Sequence, residues 1–187
     1  MKILIPILAV GAILFSIFFL TGFYPVALVN GQPISYRTWE KAQRGAINFA
    51  NAEAQRAGRA SIDFSAPGYG ELLRAVRRDT LTFLIEDAIL AQEGKKVVDE
   101  FNFLVEDRVR KAIAGSGSLE GGARLVYGLS LVEFRMLVLA PQARRDVAGE
   151  ALAGGTKSFD EWFFEVKKRK MVQLFFVPFR WNGERVE

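Results

Sequence analysis

The run from Ile3 to Leu20, ILIPILAVGAILFSIFFL, constrains this chain more than any other feature, because only Pro6, Gly11 and Ser16 stand outside the apolar set. As a helix rising 1.5 Å per residue it spans roughly 27 Å, and continuing through Phe23 and Tyr24 it reaches about 33 Å, close to the hydrocarbon thickness of a bilayer. A single membrane span in contact with the lipid bilayer is therefore expected over residues 3–24. A cleaved signal peptide has a shorter apolar region, about 7–15 residues, followed by a small-residue cleavage site, and no such site follows Leu20. The chain has no Cys, so a lipoprotein anchor is excluded as well. Residues 1–24 thus read as an uncleaved signal anchor. Lys2 and the amino terminus are the only charges before the run. The positive-inside rule then puts the N-terminus in the cytoplasm and residues 25–187 on the periplasmic, extracytoplasmic side of the cell's inner membrane.

The chain also has no His. Without His and Cys, the Ser-His and Cys-His nucleophile systems, cysteine redox chemistry, ordinary zinc sites and the usual haem or iron–sulfur ligation are all excluded. No nucleophile with a positioned base remains, so the chain is expected not to be an enzyme, and no catalytic residue, cofactor or metal site is identified. With Lys2 set aside, 24 basic and 21 acidic residues follow the run. The basic residues are interleaved with acids: Glu106 with Arg110 and Asp107 with Lys111 have the i,i+4 order that suits an exposed helix face. Neither nucleic acid nor a small-molecule substrate is expected as a partner.

Residues 25–187 read as one mainly α-helical domain. Val26 to Ile34 is an extended run broken by an Asn30-Gly31 turn. Ser35 caps a helix on which Trp39, Ala42, Ala46, Phe49 and Ala50 recur until Gly58, with Ile34 and Trp39 as a hydrophobic staple. After a loop at 59–69, a second helix is expected from about Gly70 to Glu93. Its wide stripe through Leu73, Val76, Leu81, Leu84, Ile85, Ala88 and Ile89 suits a central position, and Gly94 is expected to end it. A third is expected over about Val97 to Ala114. GSGSLEGG at 115–122 reads as a flexible connection, with a short helical turn through Leu125 and Val126 that stops at Gly128. Ser130 with Glu133 forms a capping box, and the helix it opens should be kinked at Pro141. Ser158 with Glu161 opens a short helix ending in Lys167 to Lys170, after which Met171 to Phe179 reads as a strand and Trp181-Asn182-Gly183 as a turn. Gly154-Gly155-Thr156-Lys157-Ser158 lacks the residue order of a phosphate loop. Asp99 and Glu106 share one helix surface among basic neighbours and read as solvated charges, not a glycosidase-like dyad.

Three segments in this order resemble a family. Val29-Asn30-Gly31-Gln32-Pro33-Ile34-Ser35 with Trp39, the stretch LLRAVRRDTLTFLIEDAILAQEGKK, and Gly128-Leu129-Ser130-Leu131-Val132-Glu133-Phe134-Arg135 are similar to the recurring signatures of the SurA-type N-terminal chaperone domain, shared with the PpiD and PrsA foldases. The resemblance covers about Val26 to Phe176. It implies a SurA-like multi-helix domain with a small pairing between its N- and C-terminal strands. Where that family commonly carries a parvulin-type isomerase domain, this chain has only Ala153 to Lys157, and it lacks the His and Cys of parvulin active sites. The function implied is a membrane-anchored holdase for unfolded, nascent or translocating polypeptides, without prolyl isomerase activity. A scaffold or complex subunit binding one folded partner is the alternative.

Five phenylalanines are candidates for contact with such polypeptides. Trp162, Phe163 and Phe164 fan across roughly 200° of a helix and cannot all enter one stripe. Phe175 and Phe176 alternate across a strand, and Phe103 lies about 200° from Phe101. Either the domain is layered so that both sides of these elements are core, or Phe103, Phe163 or Phe164, and one of Phe175 and Phe176 line an exposed apolar cleft.

Overall fold

A computed structural model describes residues 21–64, 66–153 and 155–187. The expected span lies, up to Leu20, outside the described residues. Among those residues no helix is long and apolar enough to cross a membrane.

The chain is mainly helical with one small sheet. Strands β1 (Pro25–Val29) and β2 (Gln32–Ser35) form an antiparallel hairpin. Asn30 and Gly31 have φ of 48° and 83°, the pair of left-handed residues that a two-residue turn matched to strand twist requires. Pro33 sits in the edge strand, where its missing N–H breaks no ladder. Strand β1 is central, and Val26, Ala27 and Val29 are buried.

Helix α1 (Tyr36–Arg56) starts at Ser35, whose hydroxyl accepts from the Thr38 N–H at 3.2 Å. Trp39 is buried and donates its indole N–H to the Arg77 carbonyl at 3.0 Å, pinning α1 to the helix that follows. That helix, α2 (Gly70–Val97), has 28 residues and runs about 42 Å. Leu81, Ile85 and Ile89 recur at four-residue spacing and are fully buried, so α2 is the central helix that its stripe implies.

Gly94 does not end α2, which continues to Val97. Its hydrogen side chain instead makes room for Phe101: a Cβ at Gly94 would lie 2.3 Å from the ring. Glu100, at φ 54°, turns the chain, and α3 (Phe101–Ala114) begins later than expected. The segment read as a flexible connection is partly helical. Leu119–Gly122 forms the short helix α4, which widens into a π-turn at Ala123–Tyr127 and stops at the left-handed Gly128. Ala123, where the short helix widens, is buried in the core.

Both capping boxes form, at Ser130 with Glu133 and at Ser158 with Glu161. Helix α5 starts as Leu131–Phe134, widens into a π-turn at Arg135–Leu139 and continues as Ala140–Leu152. The disruption expected at Pro141 takes this form: the Ala140 N–H bonds to the Arg135 carbonyl, five residues back, just before the residue that has no N–H to give.

Helix α6 (Phe159–Lys168) leads to β3 (Val172–Leu174), which pairs antiparallel with β1. The expected strand to Phe179 is cut short. After the Phe175 N–H reaches the Val26 carbonyl, Phe176 takes φ 57° and turns the chain out of the sheet. The C-terminal segment then folds back on itself, with Trp181 bridging Val186. Val186 is fully buried, and its N–H donates to the Thr82 hydroxyl of α2 at 3.1 Å.

Candidate functional site

A largely apolar trough of about 360 Å³ lies between α1 and α2. Its origin is the composition of one face of α1. Ala42, Gly45 and Ala46 succeed one another at helical spacing, and side chains this small leave a gap between α1 and α2. Val76, Thr80 and Phe83 of α2 form the opposite wall. Leu129, Leu137 and Val138 complete the lining from α5 and the turn before it, and a Leu129 methyl lies 3.4 Å from where a Gly45 Cβ would be.

Tyr127 also lines it. Its ring stacks on Phe49 at 5.2 Å and meets Phe134 at 5.1 Å. Phe49 is exposed and extends the small-residue face of α1 by a turn, while exposed Leu72 lies one turn before Val76 on α2. Leu125 and Met136 are also exposed, on the segments that supply Tyr127 and Leu137.

The trough offers apolar contact and little else. The Thr80 hydroxyl donates to the Val76 carbonyl at 2.7 Å within its own helix, and Asp79 is paired with Arg78. Beside the Leu129 edge, Glu133 is paired with Lys41. That ammonium, helped by the Ser130 backbone N–H and hydroxyl, holds the Glu133 carboxyl down at about 2. Among the described residues no group of three or more metal-ligating side chains converges. Glu106 is paired with Arg135 of α5 and does not combine with Asp99. Asp107 makes the expected pair with Lys111 but also takes Arg110, the partner expected for Glu106.

None of the five candidate phenylalanines lines this trough. Phe163 is a correction, since it is only 5% exposed. It stacks on Phe159 at 5.5 Å, with Arg145 and Lys167 over its ring, and belongs to the core. Phe103 is 62% exposed on α3. Phe164 is 39% exposed, with the Lys168 ammonium 3.9 Å from its centroid. Phe175 is half-buried and Phe176 is 73% exposed. These last two lie beyond β3, so strand alternation does not explain their orientations. Phe175 meets Phe176 at 6.5 Å, Phe176 also meets Tyr24 at 5.9 Å, and these ring pairs do not gather the five into one cleft. The signal for the trough lay in Ala42 and Ala46, which the sequence presents as a closely packed stripe. A small-residue face packs closely only if the neighbouring helix moves in, and here the face stands open along the trough, with Leu129 against Gly45.

No family model, curated protein or solved structure matches the chain.

Proposed function

We propose that this chain is a membrane-anchored, extracytoplasmic holdase. Its N-terminal run sits in the inner membrane and its domain binds apolar segments of unfolded or emerging polypeptides in the trough between α1 and α2. The trough carries the reading: its lining is apolar except for Asp79 and Thr80, it is open to solvent, and exposed Phe49 and Leu72 continue its two helix faces. A volume of about 360 Å³ accommodates a few apolar side chains of a bound segment. The resemblance to SurA-type chaperone domains supports the same reading. Prolyl isomerase activity is not part of it, because the chain has no His or Cys.

A second reading, a scaffold for one folded partner, is favoured by the definite lining of the same feature. One defined trough fits a single amphipathic helix better than many unrelated chains. The test uses the full chain in lipid nanodiscs and follows aggregation of several unrelated denatured proteins. Suppression is expected, and Ala46→Phe, which fills the trough from a half-buried position, should reduce it several-fold with melting temperature unchanged. If the wild-type chain suppresses nothing, the holdase reading fails. If it suppresses aggregation equally well with the trough filled, the site fails.

A further inference from the structure

We infer that the corner where the folded domain meets the apolar run is itself a lipid-docking surface, made by Phe23, Tyr24, Tyr36, Arg37 and Phe176. The inference rests on the anchored reading and goes beyond it, since it assigns membrane contact to the domain body. The first observation is that no flexible linker separates the two. Thr21 alone lies between Leu20 and Gly22, and the Gly22 carbonyl accepts the Arg37 N–H at 2.9 Å. The Tyr24 carbonyl likewise accepts the Tyr36 N–H at 2.9 Å. These are among the first N–H groups of α1, so the chain following the run is fastened directly to a helix start. Phe23 then lies within about 10 Å of Leu20 even if the chain between them is fully extended. Wherever the run enters a bilayer, this corner is at its surface.

The second observation is the chemistry of the corner. Phe23 is 54% exposed and Phe176 is 73% exposed. Tyr24 stacks on Tyr36 at 5.1 Å and meets the Phe176 ring edge-on at 5.9 Å. The Arg37 guanidinium stands 5.5 Å from the Phe23 centroid. Amphipathic rings beside a cation are the composition that settles at headgroup level, where the apolar body enters the acyl boundary and the charge meets phosphate. The backbone supplies a third observation. Phe176 is held at φ 57°, which a non-glycine residue adopts only at a cost, and the turn presents its ring outward at this corner.

One consequence bears on function. Tyr36 is the first residue of α1, and the trough begins at Ala42, about 9 Å further along that helix. A domain seated by this corner holds the trough close to the membrane surface, within reach of a chain emerging from it.

The chain has no Cys, so single labelling sites are available by substitution. Nitroxides placed by Phe23→Cys, Phe176→Cys, Leu125→Cys and Ala9→Cys in the full chain are compared in bilayers of phosphatidylcholine and phosphatidylglycerol. Leu125 is 86% exposed on the π-turn that supplies Tyr127, and its label is the reference for a solvent-exposed position. Relaxation by lipid-soluble oxygen relative to a water-soluble nickel chelate should be several-fold higher at positions 23 and 176 than at 125. A label at Arg37→Cys leaves both rings in place and should report the same interface. If position 9 is lipid-buried while 23, 37 and 176 behave like 125, the docking surface is wrong and the anchor stands. If position 9 is itself aqueous, the anchored reading falls and this inference with it.

Discussion

Gly94 shows how one residue type can carry a meaning its neighbours in sequence do not reveal. Replacing a helical Gly by Ala gains about 1 kcal/mol from propensity. Here the new Cβ would sit 2.3 Å from the Phe101 ring, which is itself nearly fully buried. Overpacking of this kind costs about 1–3 kcal/mol, and more where the neighbour cannot move. Gly94→Ala is therefore expected to lower the melting temperature by several degrees. A rise would show that Phe101 moves aside freely. Glu133 gives a residue-scale pH dependence. Its folded pKa of about 2 lies below the usual carboxylate value of 4.5, so its contribution is complete above pH 4.5 and disappears as the pH falls toward 2. The site is partly solvated, which screens the pair and leaves about 1 kcal/mol. Glu133→Gln should be less stable than wild type by that amount at pH 7, with the gap closing between pH 4.5 and 2. A gap independent of pH would mean that the charge on Glu133 contributes nothing.

Between elements, charged groups on one face of α2 act as ties. Glu86 takes Arg145 of α5 at 2.8 Å and Lys167 of α6 at 2.7 Å. Asp87 takes Arg144 at 2.6 Å, and burial pushes its carboxyl up despite that guanidinium. Removing Glu86 leaves two cations without their carboxylate in a half-buried setting. Glu86→Ala should cost about 1–2 kcal/mol in urea unfolding, and a cycle with Lys167→Ala should show coupling of about 0.5 kcal/mol or more. Additive effects would mean that α6 is held by apolar contacts alone. None of these three ties was legible in the sequence. Local i,i+4 spacing identifies Asp107 with Lys111, whereas partners 59 and 81 residues apart are set by the way helices cross. Caps were legible for the opposite reason, since Ser130 with Glu133 closes a ring within one turn and needs no tertiary partner.

At the scale of the whole molecule, the two ends of the domain depend on each other. Strand β3 is a neighbour of β1, and Val186 is buried against α2. Deleting residues 171–187 should cost several kcal/mol at about 25 cal/mol per Å² of apolar surface exposed. An unchanged melting temperature would show that the C-terminal segment is dispensable. Orientation is tested by protease added to right-side-out spheroplasts. The domain from Pro25 onward is expected to be digested, and protection until lysis would place it on the cytoplasmic side.

The sequence by itself determined a mainly helical domain, both capping boxes and the Asn-Gly hairpin. Each follows from hydrophobic period, cap chemistry and turn preference, whereas the pairing of β1 with β3 was only what the resemblance implied. Only the tertiary structure decided which faces meet. It placed Phe163 in the core, ordered Leu119–Gly122, carried α2 past Gly94, and left a trough beside Ala42 and Ala46. The physical reason is that a small or aromatic side chain has the same local preferences whether its neighbour closes in or stands off, and that distance is fixed by residues far away in sequence.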